Sequence, residues 1–236
     1  MGSAKVEQTM KPFFEERGTW LATVVLIMLV VSLAQAGISY TMAFGALRDF
    51  LPKDRSLLAT IMFALRFGLV TILALLWTLK RKHALFQFII AVNALFTLAL
   101  LVQASALVSV LFGFASEAIG ALMLDVVLMA ASNILIFSVW YWIIDPPGVE
   151  EIPRADEAWD FLFPQRGSSL PHYEAWVPHY SDYLFVAFTT SFAFSPTDTL
   201  PLTRRAKMLM MLQAAISVVT LTAIAGSAIN ILAGGK

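Results

Sequence analysis

Four stretches of this chain run for more than twenty residues with at most one charge each. Trp20–Phe44 and Leu85–Phe114 carry none, Leu57–Thr78 carries only Arg66, and Ala118–Ile144 only Asp125. A helix rises about 1.5 Å per residue, so about 20 apolar residues cross the roughly 30 Å hydrocarbon core of a bilayer. In that core every backbone N–H and C=O must find its partner inside the protein, which a helix achieves within a single segment. A fifth run of about 25 residues follows Arg204, Arg205 and Lys207. The prediction is an all-α polytopic membrane bundle with about five spans and one further segment that enters the membrane without crossing it.

The remaining composition narrows the function. The chain is 59% hydrophobic and 14% charged, with a formal net charge of zero. A neutral surface gives no reason to expect nucleic acid as a partner, because binding phosphates takes clustered cations. There is no cysteine, which excludes disulfides, thiolate catalysis and cysteine metal sites. His172, Glu174, His179 and Asp182 match no zinc spacing. No catalytic triad, phosphate loop or dinucleotide glycine pattern is present, so neither an enzyme nor a cofactor is expected.

The chain divides into a polar lead-in (1–18), a four-helix transmembrane region (19–144), a proline-rich acidic interfacial loop (145–180) and a pore-loop-like region (181–236). Six of the ten prolines fall between Asp145 and Asp182, with eight acids against Arg154 and Arg166. A proline-ordered loop with one or two short surface helices is expected there. The basic cluster Lys80, Arg81, Lys82 and His83 sets the orientation, since short basic loops stay in the cytoplasm. That places the N-terminus inside, the acidic loop inside and the C-terminus outside; a short segment dipping from the outer face would invert the whole chain, and a sixth span would bring the C-terminus inside.

Within the spans, Arg66 and Asp125 are expected to pair. A charge at the bilayer centre costs about 2.5–3.5 kcal/mol on insertion scales. The pair reads either as a structural bridge between the second and fourth spans or as part of an ion pathway. Asn93, Gln103, Asn133 and Gln213 are expected to make interhelical hydrogen bonds, with pore lining open for Gln213. Ala214, Ala215, Ala223, Ala225, Gly226 and Ala228 give the last helix small-residue faces suited to close packing.

The stretch most open to function is Ser181–Thr203. Ser181–Phe194 is too brief to cross, and a polar, proline-bearing turn follows it. The segment reads as a re-entrant loop, or else Tyr183–Phe194 joins its flanks as a sixth span. Thr189, Thr190, Ser191, Ser195, Thr197, Asp198 and Thr199 put six hydroxyls and a carboxylate within eleven residues. In one reading Ser195 caps a helical turn, Pro196 takes the first helical position and Asp198 reaches back. In the other these groups ring a narrow aqueous path where several subunits meet on an axis.

Phe185 to Leu232, with paired threonines after a short helix, is similar to the pore helix, filter and inner helix of two-helix pore-loop cation channels. Where those channels carry glycine, this chain has Ser191, Phe192, Ala193 and Phe194. A second resemblance rests on Asp182-Tyr183-Leu184, Ala193-Phe194-Ser195-Pro196-Thr197-Asp198, Pro201-Leu202-Thr203 and Lys207, together with Asn133, Tyr141, Trp142, Asp145 and Phe163-Pro164-Gln165. These look like a group of bacterial multi-spanning membrane proteins with an ion-channel-like C-terminal region. The resemblance implies the bacterial inner membrane. The function expected is therefore an oligomeric pore-loop-type ion (cation) channel or a degenerate relative of one, a tetramer if it conducts. The alternative is a non-conducting scaffold or accessory subunit with a membrane-protein partner; a proton-coupled carrier is third.

Overall fold

The structure is a computed structural model that describes residues 18–44, 53–79, 82–111, 119–145, 159–168, 170–173, 176–195 and 198–232. It is an all-α membrane bundle. In chain order the elements are α1 (Gly18–Ala43), α2 (Lys53–Thr78), α3 (Lys82–Leu111), α4 (Ile119–Ile144), β1 (Phe161–Leu162), two 3-10 turns (Pro164–Gly167 and Pro171–Tyr173), α5 (Tyr180–Ala193), β2 (Leu200–Pro201) and α6 (Arg204–Leu232). Among the described residues four helices, α1, α3, α4 and α6, are long and apolar enough to cross a membrane, while the apolar part of α2 is the shorter Thr60–Leu73. The lead-in, most of the acidic loop, Lys80, Arg81, Glu117 and the pair Pro196–Thr197 lie outside the described residues.

Helix α4 is the centre of the bundle. It packs against α1, α3, α5 and α6, and its last turn places Tyr141 and Trp142 among the largest fully buried side chains. It stops at Ile144 because Asp145-Pro146-Pro147 follows: a proline disfavours helical geometry at the residue before it and lacks the N–H to continue. Helices α1 and α4 run antiparallel, with Thr41 bonded to Asp125 and Gly37 beside Leu128. Large apolar side chains such as Leu33 and Leu26 stand 74% and 60% exposed. In lipid such groups need no cover, so cohesion between the helices comes from close packing and interhelical hydrogen bonds.

The amide residues behave as the sequence suggested. Asn93 Nδ2 donates to the Ile136 carbonyl at 3.2 Å, and Asn133 Nδ2 donates to Ser217 Oγ at 2.8 Å. Gln103 Nε2 lies 3.5 Å from the Gln35 carbonyl, and Gln35 Nε2 donates to the Phe96 carbonyl at 2.9 Å. The Arg66–Asp125 pair does not form. The ion pairs among the described residues are Arg166–Asp145 and Arg205–Asp160. Arg66 instead bonds the Gln35 carbonyl and Ser39 Oγ on α1, and Asp125 accepts from Thr41 Oγ1 at 2.5 Å. At 100° per residue Thr41 lies about 200° around α1 from Ser39. The two charged side chains thus grip opposite faces of one helix, a contact that an argument from depth alone could not separate from direct pairing.

Candidate functional site

Between α4 and α6 the chain makes an excursion that begins and ends at one place. Phe161 pairs with Pro201 and Leu162 with Leu200 in a two-rung antiparallel ladder, so residues 163–199 are closed at their base. The start of α6 lies against the end of α4, where Arg205 Nη2 donates to the Ile144 carbonyl at 3.1 Å. The segment therefore leaves and rejoins the same end of the bundle, and the sixth-span option fails. Helix α5, with 14 residues, is about 21 Å long, too short for the hydrocarbon core.

Two buried carboxylates hold this base. Asp145 Oδ1 accepts the backbone N–H of Asp160 at 3.0 Å and of Phe161 at 3.2 Å. Its Oδ2 accepts Arg166 Nη2 at 2.9 Å and the Tyr183 hydroxyl at 2.7 Å. The Asp145 and Arg166 side chains are both wholly buried, and the guanidinium lies 4.9 Å from the centre of the Trp159 ring. A buried pair gains on its desolvation cost only when further hydrogen bonds support it. Here the Asp145 carboxylate also takes two backbone N–H groups and a phenol, and Arg166 Nη1 also reaches the Phe161 carbonyl at 2.6 Å, while its Nε is buried without a partner among the described residues. Asp160 then takes the hydroxyl of Thr203 and the guanidinium of Arg205. Thr203 Oγ1 also accepts the Ala206 N–H at 3.3 Å, the N-cap bond of α6.

Helix α5 starts with a reciprocal cap. The His179 N–H donates to Asp182 Oδ2 at 2.6 Å, and the Asp182 N–H donates back to the His179 carbonyl at 3.0 Å. Burial pushes the Asp182 carboxyl above its ordinary value, opposed by that hydrogen bond and by the His179 charge. Among the described residues no group of three metal-ligating side chains occurs, and His179 with Asp182 serves as a cap. Tyr180 reaches Ser138 Oγ on α4. Burial raises the Tyr180 phenol far above its usual value, so the group stays protonated.

The centre of the α4–α5–α6 junction is Gln213, which has no exposed surface. Its Nε2 donates to the Ala187 carbonyl at 2.7 Å and to Ser191 Oγ at 2.8 Å, while its Oε1 accepts the Tyr141 hydroxyl. One amide thus ties the short helix to two long ones.

The hydroxyl-rich stretch is divided by this arrangement. Thr190 and Ser191 are buried at 2% and 5% exposure, turned into the protomer and unavailable to line an axis between copies. Thr189 Oγ1 bonds back to the Phe185 and Val186 carbonyls of its own helix at 2.9 and 3.1 Å. Ser195 and Asp198 are exposed, and Thr199 is buried. Thr197 and Pro196 lie outside the described residues, so the cap proposed at Ser195 rests on them; Asp198 stands in a turn and not in a helix. The outward face of α5 carries Phe185, Phe188 and Phe192, each about half exposed. At its C-terminus Phe194 takes the left-handed conformation at φ 53°, where a side chain costs roughly 1–2 kcal/mol and glycine is the usual occupant.

Sequence reasoning missed Asp145, Arg166, Tyr180 and Tyr183 as a latch. The available signal was Asp145 and Tyr183 at the edges of apolar runs, where a carboxylate and a phenol can meet. Comparison with protein-family models, with curated proteins and with solved structures gives no match in any of the three.

Proposed function

We propose that this is an oligomeric, multi-pass protein of the bacterial inner membrane in which α5 is a re-entrant pore helix, and that copies meet around it to form a cation pathway. The observation that carries this reading is the closed excursion 163–199, a 14-residue helix held by both ends at one end of the bundle. A single re-entrant loop encloses no path, so conduction requires a ring of copies. The exposed Ser195 and Asp198 in the turn beyond α5 are the groups placed to meet an ion, with Thr197 between them in sequence. A carboxylate there selects for cations.

Helix α6 supports assembly. Its exposed positions Met208, Met211, Ala215, Val218, Thr222 and Ala225 follow the alternating three–four spacing of a helix–helix seam. The test is subunit count in lipid discs by native mass spectrometry, followed by ion flux in liposomes. A tetramer whose flux falls at least tenfold in Asp198→Asn, with assembly intact, supports the reading. A monomer overturns it. A second reading, a non-conducting scaffold, draws on the inward turn of Thr190 and Ser191 and on the phenylalanines they leave outside. A ring silent in every cation tested would favour that scaffold.

A further inference from the structure

We propose that the crossing of α1, α2 and α3 is a binding site for a small monovalent anion, a halide in the simplest case, held by Arg66. Arg66 stands near the middle of α2, about 18–20 Å from either end of the helix. It is 4% exposed, and its guanidinium is anchored inward, with Nη1 on the Gln35 carbonyl and on Ser39 Oγ at 2.6 Å, so it does not reach for the headgroups. Its Nη2 is buried and meets no acceptor among the described residues.

Charge is the larger demand. Both ion pairs among the described residues lie elsewhere, and Asp125 is engaged with Thr41 on the far face of α1. A guanidinium cannot shed its proton, and an uncompensated buried charge is more costly than an unmet neutral hydrogen bond. An anion on Nη2 supplies the missing charge at the missing contact. Ser39 accepts from Nη1 and keeps its own proton to give. Gln103 Nε2 reaches the same Gln35 carbonyl that Arg66 Nη1 uses, but only at 3.5 Å, at the limit of a hydrogen bond, so this N–H near the guanidinium is weakly engaged. One to three turns along the same helices the interface becomes an apolar cleft lined by Met28, Leu69, Leu73, Val92 and Phe96, whose side chains offer the guanidinium no alternative partner. A water could bridge Nη2 to the two unmet amide oxygens, Gln35 Oε1 and Gln103 Oε1, but it would leave the charge unbalanced.

The test uses the full chain. Crystals grown in sodium bromide should give an anomalous peak about 3.5 Å from Arg66 Nη2. Thermal unfolding in sodium chloride or bromide should lie a few degrees above that in sodium gluconate at equal ionic strength. Arg66→Lys should keep that difference and Arg66→Met should lose it. A bromide-free water peak at this point, or Arg66 bonded to Asp125, overturns the proposal. So does an unfolding temperature identical in the three salts. If Arg66→Met fails to fold, the wild-type peak and salt comparison decide alone.

Discussion

Replacing Gln213 with leucine should release α5 while leaving the long helices in place. The substitution is close in volume but removes three hydrogen bonds, to Ala187, Ser191 and Tyr141. Interhelical bonds in membrane proteins average about 0.6 kcal/mol and reach about 1.7, so three contribute about 2–5 kcal/mol. The side chain has no exposed surface, so no solvent relieves the groups left behind, and a value of at least 2 kcal/mol is expected. The absence of cysteine makes the measurement direct. A single Thr190→Cys probe, at a position 2% exposed, reacts with maleimide only when α5 opens. A loss of about 2 kcal/mol raises the open population, and with it the labelling rate, about 30-fold. A rate within threefold of the parent would refute the view that this amide fastens the short helix.

Three further outcomes follow from the same geometry. Asp145→Asn removes one partner of a wholly buried pair and should cost about 3–5 kcal/mol, read as proteolytic cleavage between Trp159 and His179; Asp145→Leu combined with Arg166→Met should recover part of the loss. Phe194→Gly should raise thermal stability slightly, by about 0.5–1 kcal/mol, because φ 53° suits glycine and the ring is half exposed; a large loss instead would place the ring in a contact between copies. Asp182 has a raised folded pKa, so its contribution is fully present below the ordinary aspartate value of about 4 and is lost as pH rises through the raised value. Asp182→Asn should therefore flatten the fall in unfolding temperature above about pH 4, and an unchanged slope would count against it.

The bundle was legible because lipid imposes a simple requirement: long uncharged runs must be helices. The lone amides were legible for the same reason, since Asn93, Asn133 and Gln213 have no water to turn to. The excursion was half legible. Its brevity marked Ser181–Phe194 as unable to cross, but the ladder joining Phe161–Leu162 to Leu200–Pro201 has no periodic signal in two-residue strands. The Arg66–Asp125 expectation failed because depth fixes level and not azimuth, and the two charges are set apart by the girth of α1. Likewise the hydroxyls of Thr190 and Ser191 are adjacent in sequence to Thr189 but 100° and 200° around the helix from it, which turns them toward Gln213.

The bond between Asp160 and Arg205 joins residues 45 positions apart, and that separation sets a timetable. A ribosome adds about 5–20 residues per second, so Asp160 is made roughly 2–9 seconds before the cation that neutralises it. For most of that interval the second strand of the ladder does not yet exist, and the amide of Gln213 comes later still. The short helix can already lie against α4 through Tyr183–Asp145 and Tyr180–Ser138, but its bonds to α6 wait until α6 is made. Closure of the excursion is thus a late step, completed when α6 supplies Arg205 and Gln213, and a chain that stalls before Arg204 would carry α5 docked on α4 alone, with neither tie in place.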